Sequence, residues 1–502
     1  MPILSQRRPM QKRPEPGIGS CQLPTRPTRG RGQAAGSRVR AYSLAVPSVL
    51  WFRRDLRLVD NPALLAARDA AGDDEVVALF VLDPRLWTPA GDVRRAWLSR
   101  SLHRLDAALE GRLVVRHGDP VAVVPAVAAA ARASTVHIAA DYGPYGAQRD
   151  HDVETALLGA GRELVRTGSP YAVAPGRVRK ADGTPYRVYT PFYRAWCEHG
   201  WRAPAADPER WPDWRIDDAG PLACEGIPDA PELGNIVLVD RDAGAVRRHW
   251  DAFRSNDLAS YDEQRDRADL AGTSDLSAHL RWGEIHPRTI LADLDDSPAH
   301  TVFRKEIAWR EFYADVLHHT PSSARTWLAP RFAEMEYDNG PEADRRFEAW
   351  CQGRTGFPFV DAGMRQLLAE GWMHNRVRMV TASFLVKDLH LPWQRGARWF
   401  MRNLRDGDIA SNQHGWQWVA GSGTDASPYF RIFNPITQGL RFDPEGDYVR
   451  RYVPELRSLP GKSAHEPWKN SLLLAGDYPE PVVDHAEERV ESLRRYSALP
   501  PR

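Results

Sequence analysis

Residues 48–83 have the sequence SVLWFRRDLRLVDNPALLAARDAAGDDEVVALFVLD, in which two short apolar runs flank a helical segment. SVLWF and EVVALFVLD have the length and composition of buried strands. DNPALLAARDA has the start of a helix, with Asp60 or Asn61 as the N-cap and Pro62 at the first helical position. A strand, a helix and a second strand in this order predict parallel strands joined by a helical crossover.

The same alternation continues to about residue 140. It comprises an amphipathic helix ending at Gly111, a third strand, a second apolar helix and a fourth strand, over AWLSRSLHRLDAALEG, RLVVRHG, VAVVPAVAAAARA and TVHIAA. This pattern predicts a parallel α/β sheet. No G-x-G-x-x-G occurs in it, which excludes an ordinary dinucleotide-binding fold.

Beyond Arg241 the strand patterns fade and helical patterns dominate to about residue 420, as in AVRRHWDAFRSNDLASYDEQRD, FRKEIAWREFYADVLHH and PFVDAGMRQLLAEGW. The predicted fold is therefore an α/β N-terminal parallel-sheet domain followed by an all-α C-terminal domain. The predicted segments are a disordered basic tail rich in Arg, Pro, Gly and Ser, the α/β domain, a connector dense in Pro, Asp and Trp, the helical domain and a C-terminal segment, at 1–46, 47–175, 176–240, 241–480 and 481–502.

Composition excludes several classes of protein. The 502 residues are 42% hydrophobic and carry a formal net charge of +1, which excludes a globally basic nucleic-acid binder but not a local basic groove. The sequence contains no apolar run of about 18 residues, so no membrane span is predicted. The four cysteines are scattered without a C-x-x-C, so we expect no metal site, no disulfide framework and a cytoplasmic location. The 18 tryptophans indicate either core packing or a role in base stacking or electron transfer.

DGDIASNQHGWQW, residues 406–418, combines carboxylates, an amide and large aromatic rings without a nucleophile or metal spacing. On a helix, Asp408, Asn412 and Trp416 share one face because they are four residues apart. Such a face suits the lining of a polar, aromatic cavity. A buried capping network explains this stretch equally well.

Three further segments carry a functional and a structural interpretation each. In EIAWREFY, Glu306 and Arg310 form either a solvated i, i+4 salt bridge or part of a site, and the flanking aromatic residues favour the site. In GWMHNRVRM, Asn and Arg side chains suit contacts with bases and phosphates, whereas His374 is more typical of a structural hydrogen bond. The hydroxyl-rich loop GTSDLSAHL indicates an anion site at a helix start or, more simply, a capping box.

Eight motifs, in their order along the chain, resemble the photolyase/cryptochrome family, and most of all class I cyclobutane pyrimidine dimer photolyases. They are VLWFRRDLRLVDNPAL, YDEQRD, TSDLS, WREFY, GFPFVDAGMRQL, GWMHNRVRM, DGDIASNQHGWQW and TDASPYFRIFNP. The resemblance covers about residues 48–470. It implies a helical domain that binds FAD and light-driven electron transfer from reduced flavin to UV-damaged DNA, a reaction that needs no nucleophile or metal because the flavin supplies the chemistry.

The resemblance also implies the residues that hold FAD. They are Tyr261, Thr273, Ser274, Asp275, Leu276, Ser277, Arg310, Arg378, Asp406, Gly407, Asp408 and Asn412. Arg378 matches an arginine that pairs with the acid at Asp406, which should keep Asp406 ionised. Asn412 matches the residue that faces the reactive ring nitrogen of the flavin, where plant cryptochromes usually carry Asp and animal ones Cys. Asn therefore favours repair over signalling.

The resemblance also implies the residues that surround the dimer. The dimer is taken out of the DNA stack, because an enzyme that acts on a base inside a duplex has to extrude it. The surrounding residues are Arg265, Glu306, Trp309, Tyr313, Asn375, Arg376, Met379, Trp418 and Gln438. Glu306, Asn375 and Asn412 are the implied catalytic residues. Glu306 would hydrogen-bond the pyrimidine, and Trp309 and Trp418 would stack against it. Because (6-4) photolyases usually carry His where Asn375 stands, the cyclobutane dimer is the favoured substrate.

Two further features concern light and electrons. Trp416 and Trp393 match the inner members of the family's tryptophan chain, whereas the outer position aligns with Tyr337 in a segment about three residues longer than usual, so that Trp350 is an alternative. Tyr145 and Gly146 replace the Asn-Glu pair of folate-binding relatives and favour a deazaflavin antenna over folate. We expect a monomer. The competing predictions are a cryptochrome-type photoreceptor and a (6-4) photolyase.

Overall fold

The structure is a computed structural model that describes residues 46–238, 243–425, 430–469 and 478–501. The predicted N-terminal tail lies outside these residues except for Val46. Residues 42–502 form one compact unit. The predicted α/β region therefore packs directly with the predicted helical region.

Within the described ranges, five parallel strands form the predicted sheet, in the order β3-β2-β1-β4-β5. The strands are β1 Ser48–Phe52, β2 Val76–Leu82, β3 Leu113–His117, β4 Thr135–Ile138 and β5 Glu163–Arg166. Ser48 lies opposite both Val76 and Thr135, so β1 occupies the centre. The strand order reverses between β1 and β4, where the carboxyl ends of the strands of an open α/β sheet form a crevice.

The sheet is covered on both faces, as parallel sheets are. Leu50 and Phe52 of β1 pack in one apolar cluster with Leu64 and Leu102, and Val49 and Trp51 pack in another with Val127 and Val153. The covering helices are α1 Pro62–Ala71, α2 Pro84–Trp87, α3 Asp92–Ala108, α4 Pro120–Ala130 and α5 Pro144–Gly159.

Local predictions in this region are largely confirmed. Helix α1 begins at Pro62, and the side chain of Asn61, rather than that of Asp60, accepts from the backbone amides of Ala63 and Leu64. Helix α3 ends at Ala108, three residues before Gly111, because the chain turns through a left-handed Glu110. Strand β5 was not predicted, since this four-residue strand at the sheet edge has exposed residues at both ends.

Beyond β5 the described chain consists of helices and loops, and helices dominate beyond residue 243, as predicted. Its helices are α6 Tyr189–His199, α7 Ala243–Asn256, α8 Tyr261–Gln264, α9 Ser277–Trp282, α10 Pro287–Ala292, α11 Pro298–His319, α12 Pro341–Gln352, α13 Pro358–Glu370, α14 Asn375–Ser383, α15 Trp393–Asn403, α16 Ile409–Ala420, α17 Pro435–Phe442, α18 Asp447–Tyr452 and α19 His485–Ser497. Helix α6 lies within the segment predicted as a connector. Among the described residues, no helix is long and apolar enough to cross a membrane.

Buried charges join the sheet region to the helices. Glu284 contacts Arg104 and Ser101 of α3 and also His279 of α9. Asp60 accepts from Arg288 Nη2 at 2.7 Å. At Gly283, which has a φ of +71°, a Cβ atom would lie 1.9 Å from the carbonyl oxygen of Arg54, so only glycine permits this approach. These contacts bring the residues after β1 against the helical region.

Candidate active site

Helix α11 presents Glu306 and Arg310 to different partners. Glu306 Oε1 accepts from Arg265 Nη1 at 2.7 Å, which joins α11 to the end of α8. Arg310 donates to the carbonyl oxygens of Pro170 at 3.0 Å and Leu280 at 3.1 Å. The interpretation of Glu306 and Arg310 as a solvated i, i+4 pair is therefore wrong. Both side chains instead bond to residues that are distant in the sequence.

Trp309 lies flat on Tyr189, a residue of α6 that the sequence did not indicate. The two ring centroids are 3.6 Å apart with an interplanar angle of 6°, and the Tyr189 hydroxyl donates to the carbonyl of Lys305 at 2.7 Å. Trp309 is half-buried, so Tyr189 fixes the plane of a partly exposed indole. Tyr313 stacks on His414 of α16 with centroids 5.8 Å apart. The aromatic segment YTPFYRAW was the available signal for α6.

The start of α14 holds a second cation beside an acid. Arg376 Nη2 lies 2.6 Å from Asp266 Oδ1, and its guanidinium covers the ring of Phe442 at 5.0 Å. His374 is the buried N-cap, whose Nδ1 accepts from the amide of Arg376 at 3.2 Å, so its predicted structural role is confirmed. Asn375 is exposed, whereas Met379 packs against the apolar core.

Asp406 is buried and paired with Arg378, as the resemblance implied. Arg378 Nη2 lies 2.8 Å from Oδ2, Nη1 lies 3.3 Å from Oδ1, and Nε donates to the carbonyl of Met373 at 2.7 Å. Burial opposes ionisation, but the charge and hydrogen bonds of Arg378, with a hydrogen bond from Ser277, hold the pKa of Asp406 below its usual value. Asp406 is therefore a carboxylate at neutral pH.

A charge contact fixes the conformation of the hydroxyl-rich loop at Asp275. Asp275 has a left-handed backbone with a φ of +49°, and its carboxylate contacts Arg405. The carbonyl of Ser274 accepts from His249 Nε2 at 2.8 Å. The N-cap of α9 is Leu276, without a side-chain capping bond, so the interpretation as a plain capping box is wrong. Thr273 lies in the same loop and Ser277 begins α9.

Asp408 performs two tasks with its two carboxylate oxygens. Oδ1 caps α16 by accepting from the amide of Ser411 at 3.1 Å, and Oδ2 lies 2.6 Å from Arg54 Nη2. Burial opposes ionisation, but Arg54, Arg281 and Arg310 together hold the pKa of Asp408 well below its usual value. The predicted capping network and the predicted charged site thus coincide at this residue. Gly407 precedes it, and its carbonyl accepts from Arg281 Nε at 3.1 Å.

Asn412 has a fixed amide orientation. Its Nδ2 donates to the carbonyl of Ala397 at 3.1 Å and to Gln413 Oε1 at 2.7 Å. Because an amide nitrogen carries two hydrogens, both donors are used and Oδ1 remains as an acceptor.

Trp416 and Trp393 are buried within one apolar cluster of the helical region. Trp416 contacts Phe400 at 5.0 Å and Trp350 at 6.1 Å, both edge to face. A Cβ atom at Gly396 would lie 2.1 Å from Trp416 Cη2, so this glycine lets α15 approach the indole closely. Trp418 packs against the same cluster, and Tyr337 lies before α12.

Two other predicted residues occupy the helices around Arg265 and Arg376. Tyr261 begins α8 and is buried, with the Arg265 guanidinium 5.6 Å over its ring. Gln438 lies on α17 and is half-buried. In the part of the chain that the structure describes, no cluster of side chains suits a metal ion.

A separate cavity of 1170 Å³ opens at the carboxyl ends of the central strands, where their order reverses. Residues of β1, β2 and the start of α5 line it, including Trp51, Phe80, Asp83, Tyr145 and Gly146, and helical residues such as Arg281 and Asp408 line the opposite side. Among the described residues of the lining, eight arginines face three aspartates. The side chains therefore give the cavity a cationic excess.

Several buried polar atoms of the cavity lining have no hydrogen-bond partner among the described residues. They include the donors Trp51 Nε1, Arg94 Nε, Arg281 Nη1 and Trp282 Nε1. Burial lowers the pKa of Arg94 to about 10, and burial together with neighbouring arginines lowers that of Arg281 to about 9. Unpaired buried donors are costly, so this lining fits a ligand that accepts hydrogen bonds and carries negative charge.

Comparison with protein families identifies two matching models. Residues 48–210 match the model described as DNA photolyase, and residues 303–498 match the FAD binding domain of DNA photolyase. A curated relative, the deoxyribodipyrimidine photo-lyase of Halobacterium salinarum, is 39% identical over 89% of this chain and 98% of its own length. The Escherichia coli protein of the same name is 39% identical over 90% of this chain and 98% of its own length.

Solved structures of similar proteins share the fold. A bacterial class III photolyase from Agrobacterium tumefaciens is 37% identical with a TM-score of 0.81, over 92% of this chain and 99% of that one. A cryptochrome from Synechocystis is 26% identical with a TM-score of 0.80, over 89% of this chain and 99% of that one.

Proposed function

The chain belongs to the photolyase/cryptochrome family, and from this premise we propose that it is a light-dependent enzyme that splits cyclobutane pyrimidine dimers in UV-damaged DNA. The observation that carries the proposal is a network of ion pairs across three elements. Arg265 and Asp266 follow α8, and they pair with Glu306 of α11 and Arg376 of α14. Of these four residues, Arg265, Glu306 and Arg376 were predicted to meet the dimer and its phosphates, and Asp266 was not.

The residues of the helical region fit FAD. The Arg378–Asp406 pair provides a half-buried cation and a buried, ionised acid, and Ser277 joins this pair to the hydroxyl-rich loop. The loop has a left-handed residue at Asp275 and hydroxyls at Thr273 and Ser274, which suit phosphate and ribose oxygens. Reduced FAD, when bound, supplies the electron that splits the dimer under light.

Asn412 provides a hydrogen-bond acceptor rather than an acidic proton. Both of its amide hydrogens are engaged by Ala397 and Gln413, so Oδ1 is the side-chain atom left to accept a hydrogen bond from a ligand. An acceptor at this place favours a protonated ring nitrogen beside it. The Arg54–Asp408 pair fixes the N-terminus of α16 and thereby orients Asn412, Trp416 and Trp418.

On the substrate side, Trp309 and Trp418 flank the extruded dimer, with Tyr189 supporting Trp309 from behind. Stacking of this kind recognises flat bases irrespective of sequence. Glu306 hydrogen-bonds a pyrimidine, and Arg265 holds the carboxylate in place at 2.7 Å. Asn375, exposed at the start of α14, contributes the amide that distinguishes this site from one with histidine.

The resemblance predicts class I, whereas the similar Agrobacterium structure is of a class III photolyase. We retain class I as part of the proposal. The curated relatives are named as photo-lyases, which favours repair over the cryptochrome alternative that the Synechocystis structure represents.

The test uses purified protein with its FAD chemically reduced. Under blue light it should restore paired thymines from an oligonucleotide that carries one cyclobutane dimer, with no turnover in the dark. A matched oligonucleotide with a (6-4) product should remain unchanged. Repair of the (6-4) product alone would refute the substrate assignment, and bound flavin without any repair would favour a photoreceptor.

The cavity at the carboxyl ends of β1, β2 and β4 suits an antenna chromophore, and we assign it a deazaflavin. Apolar walls such as Trp51, Phe80 and Trp282 suit a flat ring system, and the cationic excess suits an anionic group. Gly146 is essential to the shape, since a Cβ atom there would lie 2.2 Å from Asp141 Oδ2.

Replacement of Gly146 tests this assignment. Protein reconstituted with deazaflavin should gain a long-wavelength absorption band and repair more dimers per photon, and Gly146→Ala should lose the band while it retains FAD. Gly159→Ala is the matched control, because Gly159 ends the same helix and a Cβ atom added there would meet no other atom within 4 Å. Co-purification of tightly bound folate would contradict the deazaflavin assignment.

A further inference from the structure

The outermost residue of the route by which electrons reach the flavin can be inferred from the structure, and this inference rests on the proposed function. The resemblance places Trp416 and Trp393 at the inner positions and aligns Tyr337 with the outer one. A tyrosine that loses an electron must also lose its phenolic proton, so a tyrosine at this position requires a nearby base.

Tyr337 has no such base among its hydrogen-bond partners in the described chain. Its hydroxyl donates to the carbonyl of Phe332 at 3.3 Å and accepts from Trp327 Nε1 at 3.1 Å. Neither a backbone carbonyl nor an indole N–H takes up a proton. Burial raises the pKa of Tyr337 to about 12. Asp338 follows in sequence, but its carboxylate lies 2.6 Å from Arg495 of α19.

Trp327 contacts both Tyr337 and the apolar core. Its ring stacks on Tyr337 with centroids 6.1 Å apart and an interplanar angle of 29°. It also packs against the apolar cluster that contains Trp393 and Trp416. Trp327 is half-buried, so it contacts both this cluster and solvent.

Gln417 fixes the backbone on both sides of Trp327. Its Oε1 accepts from the amide of Leu328 at 2.6 Å, and its Nε2 donates to the carbonyls of Thr326 at 3.2 Å and Ser323 at 2.8 Å. Gln417 is fully buried and lies between Trp416 and Trp418 on α16. The same helix that carries the inner tryptophan therefore positions Trp327.

We propose that Trp327 is the outer electron donor of this protein and that Tyr337 is its hydrogen-bond partner. With oxidised flavin bound, loss of one electron from Trp416 under light would be followed by transfer of one electron from Trp393 to Trp416 and of one electron from Trp327 to Trp393, all of which belong to or pack against one apolar cluster. One electron moves at each step, and the positive hole ends on the Trp327 indole. A thiol reductant in solution then returns one electron to Trp327 and is itself oxidised toward a disulfide.

Trp350 is less suited to this role although it contacts Trp416. Its side chain is fully buried, and its Nε1 donates to the carbonyl of Thr381 at 3.0 Å. A hole on Trp350 has no contact with a reductant in solution and returns to Trp416. Trp350 therefore serves as the matched control for Trp327.

Transient absorption after a blue flash tests the proposal with protein that contains oxidised FAD. Wild type should form a long-lived tryptophanyl radical, and electron paramagnetic resonance with ring-deuterated tryptophan should confirm the radical type. Trp327→Phe should lose the long-lived signal, while Trp350→Phe and Tyr337→Phe should keep it. FAD content and the circular dichroism spectrum of each variant verify that the fold is intact.

The outcomes separate the inference from the proposed function. A long-lived tryptophanyl signal that persists in Trp327→Phe, or a tyrosyl signal that disappears in Tyr337→Phe, would overturn the assignment of Trp327. A wild-type protein without bound FAD, or one that fails to repair dimers after chemical reduction, would instead count against the proposed function. If the Trp327→Phe variant loses FAD, Trp327→Tyr should likewise lose the long-lived tryptophanyl signal, and a tryptophanyl signal that persists in Trp327→Tyr would also overturn the assignment.

Discussion

The proposed dimer site and the cavity at the sheet edge use charge in opposite ways. In the dimer site the charged side chains neutralise one another, as Glu306 with Arg265 and Arg376 with Asp266 show, and Arg378 and Asp406 do the same in the proposed FAD site. In the cavity, arginines outnumber aspartates, and donors such as Arg94 Nε and Arg281 Nη1 lack a partner among the described residues.

The difference indicates which site depends on its ligand. Paired charges keep their geometry without a ligand, since each ion already has a partner that offsets part of its desolvation. Buried donor atoms without partners remain costly until a group that accepts hydrogen bonds reaches them. We therefore expect cavity ligands to raise the free energy of unfolding, whereas DNA binding at the dimer site has to compete with internal ion pairs.

Removal of Arg378 should have the largest effect. Arg378→Ala leaves the buried Asp406 without its cation, and breaking such a pair costs about 3–5 kcal/mol. The variant should unfold at lower urea and purify with little FAD absorbance. Arg494→Ala is the control, because Arg494 pairs with Glu491 and Glu336 on the surface, where an ion pair contributes about 0–1 kcal/mol. Equal free energies of unfolding for the two variants would show that the buried pair contributes no more stability than the surface pair.

Arg54→Gln should weaken the link between the two regions. Loss of the charged hydrogen bond to Asp408 costs about 1.5–3 kcal/mol at neutral pH. In the wild type the pKa of Asp408 is lowered, so its contribution is present above the unfolded pKa and is lost as pH falls through the folded value.

The pH dependence of unfolding checks the sign of this prediction. Without Arg54, the desolvation of Asp408 is offset less, so its pKa should lie higher than in the wild type. The stability gap to wild type should therefore shrink as pH falls through the pKa of the variant and close at the lowest pH. Arg68→Gln, which removes a surface pair with Asp69, should show no such trend. A gap that is independent of pH would argue against the pairing of Arg54 with ionised Asp408.

Trp309→Ala should remove most of the preference for damaged DNA. Stacking on an aromatic ring contributes about 1–3 kcal/mol per base, which corresponds to roughly a 5- to 150-fold change in affinity. Competition between dimer-containing and undamaged oligonucleotides measures the preference directly. Tyr189→Phe retains the ring beneath Trp309 and should change the preference for damaged DNA little. If both variants lose the preference equally, the Tyr189 hydroxyl rather than the Trp309 surface is decisive.

Asp266→Asn should have the smallest effect and the opposite sign. Asp266 lies 2.6 Å from Arg376 and 3.7 Å from Arg265, so its neutralisation frees Arg376 and leaves Arg265 with Glu306 as its remaining acidic partner. Affinity for undamaged DNA should rise several-fold at low salt and converge with wild type at high salt, because phosphate contacts are screened. Asp262→Asn on α8 is the control. An unchanged salt dependence would mean that the two arginines do not meet phosphates.

The sequence predicted most features that local pattern determines. The alternation of apolar strands and helices predicted the parallel sheet, and Asn61 and Pro62 predicted the start of α1, because capping and strand burial depend on residues close in the chain. The ordered motifs identified the family and the Arg378–Asp406 pair. Strand β5 and helix α6 were not predicted. Strand β5 is short and lies at the sheet edge, and helix α6 is an aromatic segment within a proline-rich region.

Only the tertiary structure decided the partners of these residues. Arg54 and Asp408 are 354 positions apart, and Gln417 holds Leu328 across 89 positions. The sequence offered Glu306 a partner four residues away, yet Glu306 pairs with Arg265 on another helix. Local periodicity specifies which face of a helix is polar. Which distant side chain meets that face depends on how the elements pack, and packing is a property of the whole chain.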